Sequence, residues 1–403
     1  MKFGIIRERK NPPDRRVVLS PRECQNVLTQ FPNAQILVEP SPIRVFTDDE
    51  YRARGLEVVE DMERCDVLLG VKEVPVEALI PHKRYFFFSH TIKRQPYNRG
   101  LLQAVLQKDI ELYDHELITN PKGQRLVAFG RYAGIVGAYN GFRTYGLKSG
   151  LFQLPKAECL KDREALVSEL RKVELPAIKI LLTGKGRVGQ GAREMLEAMG
   201  LKRVGVPEFL QQDFPQAVFC QIDTSEYTRR KDGTRGNKAD FFGNPQEYES
   251  NFLRFAKVSD LYIAGHFYGE GAPYLFTRED VRHPDFNIRV VADISCDIDG
   301  PVATTLRAST IADPIYGYDS LRGVETDYRD ANAIAVMAVD NLPCELPRDS
   351  STGFGEAFSR WVIPAFFNGD ADGILERARM TQDGKLTPRY AHLQDYVEGR
   401  AEK

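Results

Sequence analysis

Two groups of residues have types and spacing that suit chemistry. The first is Gly184-Lys185-Gly186-Arg187-Val188-Gly189. It follows the apolar run Ile178–Leu182 directly and opens a stretch in which Ala192, Met195, Leu196 and Met199 share one helical face before Gly200. A GxGxxG turn between a strand and a helix suits a dinucleotide pyrophosphate. Gly184 permits the tight turn, Gly186 lets backbone approach the anion, and Gly189 lets helix and strand pack closely. The free N–H groups of the helix start face the phosphates. A plain glycine-rich linker would read the same, but the flanking strand and helix favour the nucleotide. The next strand is expected over Arg203–Val206. After it, Glu208 lies at about the spacing, roughly 20 residues, of the acid that accepts from a ribose 2′-hydroxyl. That role favours NAD, with NADP as the alternative because Arg187, Lys202 and Arg203 are near in sequence. Glu208 also reads as an exposed acid at a helix start.

The second group ends apolar runs in the first third of the chain. Arg16 precedes Val17–Pro21, Lys72-Glu73 follow Val67–Val71, and Ser89-His90-Thr91-Ile92-Lys93 follow Tyr85–Phe88. Parallel strands ending in ionisable groups deliver them to one edge of a sheet, where open α/β folds bind ligands. A lysine that loses hydration there has its pKa lowered toward the working range, so Lys72 and His90 can share acid–base work. Each reads equally well, alone, as a surface residue.

The elements that must position these residues follow an α/β pattern with parallel sheets. Strands are expected at Phe3–Ile6, Gln35–Val38, Val67–Val71, Tyr85–Ser89, Glu111–Tyr113, Leu261–His266 and Arg289–Ile294. Helices are expected at Ser20–Gln30, capped by Ser20 with Pro21 at the first position, and at Asn98–Asp109. Ala133–Leu147, with Gly134, Gly137, Ala138 and Gly141 at close-packing spacing, reads as a long helix connecting two domains. Tyr145–Ser168 reads as mixed loop and helix. Asp223–Asp260, holding Arg229, Arg230, Lys231 and Asp232, reads as an irregular polar surface insertion. Ala333–Asp340 and Phe354–Asn368 read as helical, and the charged tail from Asp383 as a solvated helix. There is no internal repeat.

The bulk numbers fit a soluble two-domain enzyme: 403 residues, 42% hydrophobic, 28% charged and a net charge of −2. That charge gives no reason to expect nucleic acid or an anionic membrane as partner. No apolar run is long enough to span a bilayer. The N-terminus lacks the apolar stretch of a secretory signal, so a cytoplasmic location is expected. Cys24, Cys65, Cys159, Cys220, Cys296 and Cys344 have no metal-ligand spacing and read as reduced and mostly buried; no metal is expected.

Several segments together resemble the alanine dehydrogenase, transhydrogenase and lysine-forming saccharopine dehydrogenase superfamily. They are Gly70–Pro75, Phe87–Lys93, Leu126–Gly134, Val290–Asp297 and Val339–Pro343. The likeness is greatest to saccharopine dehydrogenase and to the lysine–ketoglutarate reductase half of the bifunctional lysine-degrading enzyme, whose second dehydrogenase domain is expected to be missing. The resemblance implies two Rossmann-like domains with parallel sheets and an active site in the interdomain cleft. Residues 1–140 and 328–403 would form the catalytic domain, and 141–327 the dinucleotide-binding domain. It implies an NAD(P)-dependent oxidoreductase of lysine metabolism that interconverts saccharopine with L-lysine and 2-oxoglutarate. Lys72 would take the amine proton and His90 would assist hydrolysis of the imine. Arg16, Lys93 and Arg125 would anchor carboxylates, Gln95 and Phe129 would line the substrate site, and Glu73 and Glu116 would tune its charge. Asp293, Ile294, Ser295 and Cys296 would form a loop near the nicotinamide. Alanine dehydrogenase, another opine-type dehydrogenase and a non-catalytic nucleotide-binding regulator are the alternatives.

Overall fold

The computed structural model describes residues 1–400. They divide into two compact units, one formed by residues 1–129 with the segment from Pro347 onward, the other by Gly130–Leu346. The last three residues of the expected 328–403 segment lie outside the described residues.

The first unit is built on strands β1 (Lys2–Ile5), β2 (Gln35–Val38), β3 (Glu57–Val58), β4 (Val67–Leu69), β5 (Arg84–Phe87) and β6 (Glu111–Asp114). Their order is β3-β2-β1-β4-β5-β6, and every pairing is parallel. A parallel sheet is covered on both faces, which is why β4 and β5 are apolar runs rather than alternating ones. Ser20 caps the helix Pro21–Gln30, accepting from the amide of Glu23, with Pro21 where no donor is needed. The helix Pro347–Trp361 supplies Phe354 and Phe358 to the core containing Phe3, Val38, Val67 and Phe86. The tail is not simply a solvated helix. Tyr390, Leu393 and Tyr396 are buried with Leu102 and Val105, and only the single turn Gln394–Val397 is α-helical.

The second unit holds β7 (Lys179–Thr183), β8 (Lys202–Arg203), β9 (Val218–Ile222), a hairpin of β10 (Thr228–Arg230) and β11 (Tyr248–Ser250), and then β12 (Leu261–Ala264), β13 (Val290–Asp293), β14 (Ile315–Asp319), β15 (Val324–Thr326) and β16 (Ala333–Met337). The main sheet runs β15-β14-β16-β13-β12-β7-β9-β8. Ala333–Met337 is thus a strand, not the expected helix. It is buried throughout and hydrogen-bonded to β13 and β14, and such a fully covered run carries no periodicity to tell the two apart. This strand also moves the chain's return to the first unit from residue 328 to 347.

The helix Gly130–Ser149 lies wholly in the second unit, so the boundary expected after residue 140 falls inside it. Its small residues serve packing against the helix Arg187–Ala198. A Cβ on Gly134 would sit 1.9 Å from the Val188 carbonyl oxygen, and one on Gly191 would sit 1.9 Å from that of Arg131. The polar stretch 223–260 is ordered rather than irregular, for it contains the β10–β11 hairpin and the helix Lys238–Gly243. Of the six free cysteines, Cys24, Cys65 and Cys220 are buried, Cys296 and Cys344 are half-buried and Cys159 is exposed. Among the described residues no helix is long and apolar enough to cross a membrane, and no three metal-ligating side chains cluster.

Candidate active site

Each charged residue singled out in the first unit lies beyond the C-terminal end of a parallel strand, or in a segment packed there. Lys72 and Glu73 follow β4, His90 follows β5 and Glu116 follows β6. His90 sits between two carboxylates: Nε2 is 3.7 Å from Glu73 and Nδ1 is 3.9 Å from Glu116. Glu73 is itself paired with Lys10 at 2.8 Å. Glu116 faces Arg125 at 3.2 Å and Lys93 at 3.8 Å as well as His90. Burial alone would raise the Glu116 pKa, but His90, Lys93 and Arg125 outweigh it and bring it down to about 2. Glu116 is therefore a fixed negative charge beneath a group of cations.

The sequence around His90 explains how it is held. Its backbone is left-handed, with φ 55°, a costly conformation for a residue with a side chain. The flanking residues enforce it. The Ser89 amide and hydroxyl both donate to the buried carboxylate of Asp114, and Ser89 Oγ lies 2.8 Å from Thr91 Oγ1. Ser and Thr on either side of the histidine are thus its clamp. Phe88 stacks on the imidazole at 6.2 Å between centroids.

Lys72 is positioned by a residue with no sequence signal, Glu8 just after β1. Its carboxylate accepts from the amides of Val71 at 2.7 Å and Lys72 at 2.8 Å. Burial, followed by the nearby Asp14 charge, raises the Glu8 pKa to about 7. Glu8 sits in the charged run Arg7-Glu8-Arg9-Lys10, which reads as solvated surface. β1 and β4 adjoin, so Glu8 and Lys72 lie at the point where strand order reverses.

Arg16 is buried, and its guanidinium grips Asp14 in a two-pronged pair, Nε to Oδ1 at 3.0 Å and Nη2 to Oδ2 at 2.6 Å, while lying 4.2 Å from the centroid of Phe129. Although burial opposes it, Arg16 holds the Asp14 pKa down at about 2, with help from the Lys72 charge. Phe129 stacks on Phe354 at 4.5 Å. Gln95 stands apart, exposed, with its amide oxygen accepting from Tyr97 Oη. His115, next to Glu116, is buried with Nε2 2.9 Å from the Gly70 carbonyl, and burial drops its pKa to about 4.

In the second unit the glycine turn has the shape that a pyrophosphate requires. Gly184 is left-handed, with φ 92°, and a Cβ there would lie 2.3 Å from the Gly265 carbonyl. A Cβ on Gly189 would lie 2.0 Å from the carbonyl of Gly184. On Gly186 it would meet nothing within 4 Å, so that backbone faces open space at the start of the helix Arg187–Ala198. The turn borders a cavity of about 270 Å³ lined by residues including Gly184, Gly186, Val188, Asp223 and Gly265.

Glu208 does not reach this cavity. Its carboxylate accepts from the amide of Gly205 at 2.9 Å and so caps its own short helix Val206–Gln211. β8, which precedes it, is an edge strand, and β9 lies between β8 and β7. The residue that ends the strand beside β7 is Asp223, whose carboxylate pairs with Lys238 at 2.9 Å and accepts from the Thr224 amide. On the far side of the sheet Asp293 ends β13. Its buried carboxylate is turned inward and accepts from the Ser295 amide and hydroxyl, the Cys296 amide and Thr305 Oγ1. It shapes the Asp293–Cys296 loop rather than facing solvent. Ile294 packs against Gly137, where a Cβ would lie 2.4 Å from its Cγ1.

Residues 4–136 match the alanine dehydrogenase/PNT N-terminal domain. Over 97% of its length the chain is 27% identical to an alpha-aminoadipic semialdehyde synthase of Arabidopsis thaliana, covering 41% of that protein, and over 99% it is 28% identical to the mitochondrial one of Bos taurus, covering 48%. The chain thus spans less than half the length of these relatives. It is 25% identical to the saccharopine dehydrogenase [NAD(+), L-lysine-forming] of Candida glabrata, covering 94% of this chain and 98% of that one. Among solved structures it shares the fold of an L-alanine dehydrogenase, with a TM-score of 0.67 at 17% identity and both chains covered in full. A transhydrogenase of Sinorhizobium meliloti gives a TM-score of 0.61 at 14% identity, covering 96% of this chain and all of the other. The first third of the chain thus carries a match to the alanine dehydrogenase/PNT N-terminal domain, and over most of its length the chain is similar to a saccharopine dehydrogenase.

Proposed function

We propose that this protein is an NAD-dependent oxidoreductase that interconverts saccharopine with L-lysine and 2-oxoglutarate. The observation that carries the reading is His90 held between Glu73 and Glu116 at the strand-end edge that also bears Lys72. The first unit would hold the substrate and the second the nucleotide. The glycine turn fits the nucleotide, because its only side-chain-free opening is at Gly186, where the amide groups of the helix start are exposed to an anion. The nicotinamide, when bound, supplies a hydride acceptor or donor.

The chain's own residues do the rest. Lys72, anchored through its backbone by Glu8, takes the proton from the secondary amine of saccharopine as the C–H bond is oxidised. His90 then passes a proton as water adds to the resulting imine and the carbinolamine separates into lysine and 2-oxoglutarate. Glu73 and Glu116 flank the ring, one beside each nitrogen. Saccharopine carries three carboxylates. Lys93 and Arg125, each half exposed beside Glu116, would meet them, whereas the Arg16 fork is paired with Asp14 and would act through Asp14 and Phe129. Asp223, kept ionised by Lys238, accepts from a ribose 2′-hydroxyl and repels a 2′-phosphate, which favours NAD.

The test is the absorbance of NADH with lysine plus 2-oxoglutarate, beside pyruvate plus ammonia. Turnover of the first pair, lost by orders of magnitude in Lys72→Met while NADH still binds, is the expected result. Turnover of pyruvate and ammonia alone would replace the reading with an alanine dehydrogenase.

A further inference from the structure

The segment Asp223–Asp260 lies against the cavity at the glycine turn, and its helix contributes two side chains to that cavity. Register fixes the frame. Thr183 at the end of β7 is paired with Ile222 on one side and with Ala264 on the other. The glycine turn is therefore flanked by Asp223 and by Gly265-His266-Phe267. The helix Lys238–Gly243 is fastened to the β10–β11 hairpin by its inward residues. Phe241 is buried against Tyr248 with ring centroids 5.2 Å apart, and Asp240 accepts from Tyr248 Oη and pairs with Arg230 at 2.7 Å. With Phe241 turned in, the next residue, Phe242, is turned out. It is 50% exposed, and Phe267 is 76% exposed, an unfavourable placement for large aromatic rings unless something covers them. Both line the same cavity of about 270 Å³ as Gly186 and Asp223. His266, which is buried, also lines it, and its Nε2 has no hydrogen-bond partner among the described residues.

We infer that this segment completes the nucleotide site, with Phe242 and Phe267 forming a slot for the purine base of the cofactor and Lys238 fixing the Asp223 carboxylate beside it. The inference rests on the nucleotide reading above, and it goes further by assigning the adenosine end to residues of the 223–260 segment and of the β12 loop. A planar base is the ligand that two exposed rings lining one cavity would take, since stacking covers both rings. The glycine turn lines the same cavity, so base and phosphates would be held by one site, as a dinucleotide requires.

Calorimetry of the full chain with NADH, AMP and reduced nicotinamide mononucleotide tests this. Loss of one stacking ring weakens base binding about 5- to 100-fold. Phe242→Ala and Phe267→Ala are expected to weaken NADH and AMP by such a factor and to leave the mononucleotide, which lacks the adenosine half, unchanged. Phe242→Leu, which keeps apolar bulk but no ring face, should behave like Phe242→Ala, and circular dichroism identifies any variant that has lost its fold. Wild-type affinity for AMP in folded Phe242→Ala and Phe267→Ala overturns the slot. Nucleotide binding that depends on these rings in a protein inactive with lysine and 2-oxoglutarate would keep the slot and remove the proposed reaction instead. A wild-type chain that binds none of the three nucleotides removes both.

Discussion

The Glu8 carboxylate accepts the backbone amide of Lys72 at 2.8 Å, tying the residue after β1 to the residue after β4. Glutamine at this position has one acceptor oxygen for two amides, Val71 and Lys72, and leaves a buried donor unmet, at a cost of about 1–3 kcal/mol. Glu8→Gln is therefore expected to lower turnover roughly 10-fold or more through misplacement of Lys72. NADH affinity should stay unchanged. Steady-state kinetics beside a fluorescence titration reads both, and a variant with normal turnover would show that the loop needs no such anchor.

The three glycines of the nucleotide turn should fail in different ways. A Cβ on Gly189 would overlap the carbonyl of Gly184, so Gly189→Ala must distort the turn and lower the melting temperature. A Cβ on Gly186 meets no protein atom, so Gly186→Ala should melt like the wild type yet bind NADH at least about 10-fold more weakly, because the methyl group occupies the space of the ligand. Full NADH affinity in Gly186→Ala would mean that the phosphates lie elsewhere.

Asp223 and Glu208 offer a direct comparison. Asp223→Ser removes the carboxylate and releases Lys238 for a 2′-phosphate, so the ratio of kcat/KM for NADH over NADPH should fall by about 10-fold or more. Glu208→Gln keeps an acceptor for the Gly205 amide and should leave that ratio where it was. A reversed pattern would restore Glu208 to the ribose.

Asp223 was legible only as a residue type, since its place depends on strand order. The usual spacing rule assumes that the second strand of the unit lies beside the first. Here the third, β9, takes that place and pushes β8 to the edge, a matter of long-range pairing that no local pattern records. The glycine turn, by contrast, was fully readable because strand, turn and helix are contiguous. Lys72, Glu73 and His90 stood out because each follows an apolar run and lies in a family motif, and Glu116 only through what the resemblance implies. Glu8 and Asp14 escaped because their burial comes from segments far along the chain. Ala333–Met337 was misread as helix because a strand covered on both faces has no alternation.

Glu345 should set part of the pH dependence of stability. Its buried carboxyl accepts from Asn140 Nδ2 at 2.8 Å, and burial raises its pKa from 4.5 to about 7. A raised folded-state value means that its stabilising contribution is complete below about 4.5, fades as pH rises, and is gone above about 7. Glu345→Gln stays neutral and keeps the Asn140 hydrogen bond. Between pH 5 and pH 8 it should therefore gain stability relative to wild type, by no more than about 3 kcal/mol. Thermal melts at the two pH values check this, and parallel shifts of the two proteins would exclude a buried proton at Glu345.

The left-handed backbone at His90 means that the fold tolerates its proposed acid–base residue against local preference. Glycine is the residue that the torsion angles themselves would choose. A drift toward greater robustness at this site would thus trade away the imidazole, and only selection for turnover opposes that exchange. The Ser89–Asp114–Thr91 clamp borders that strained residue on both sides, and a glycine here would have no need of it.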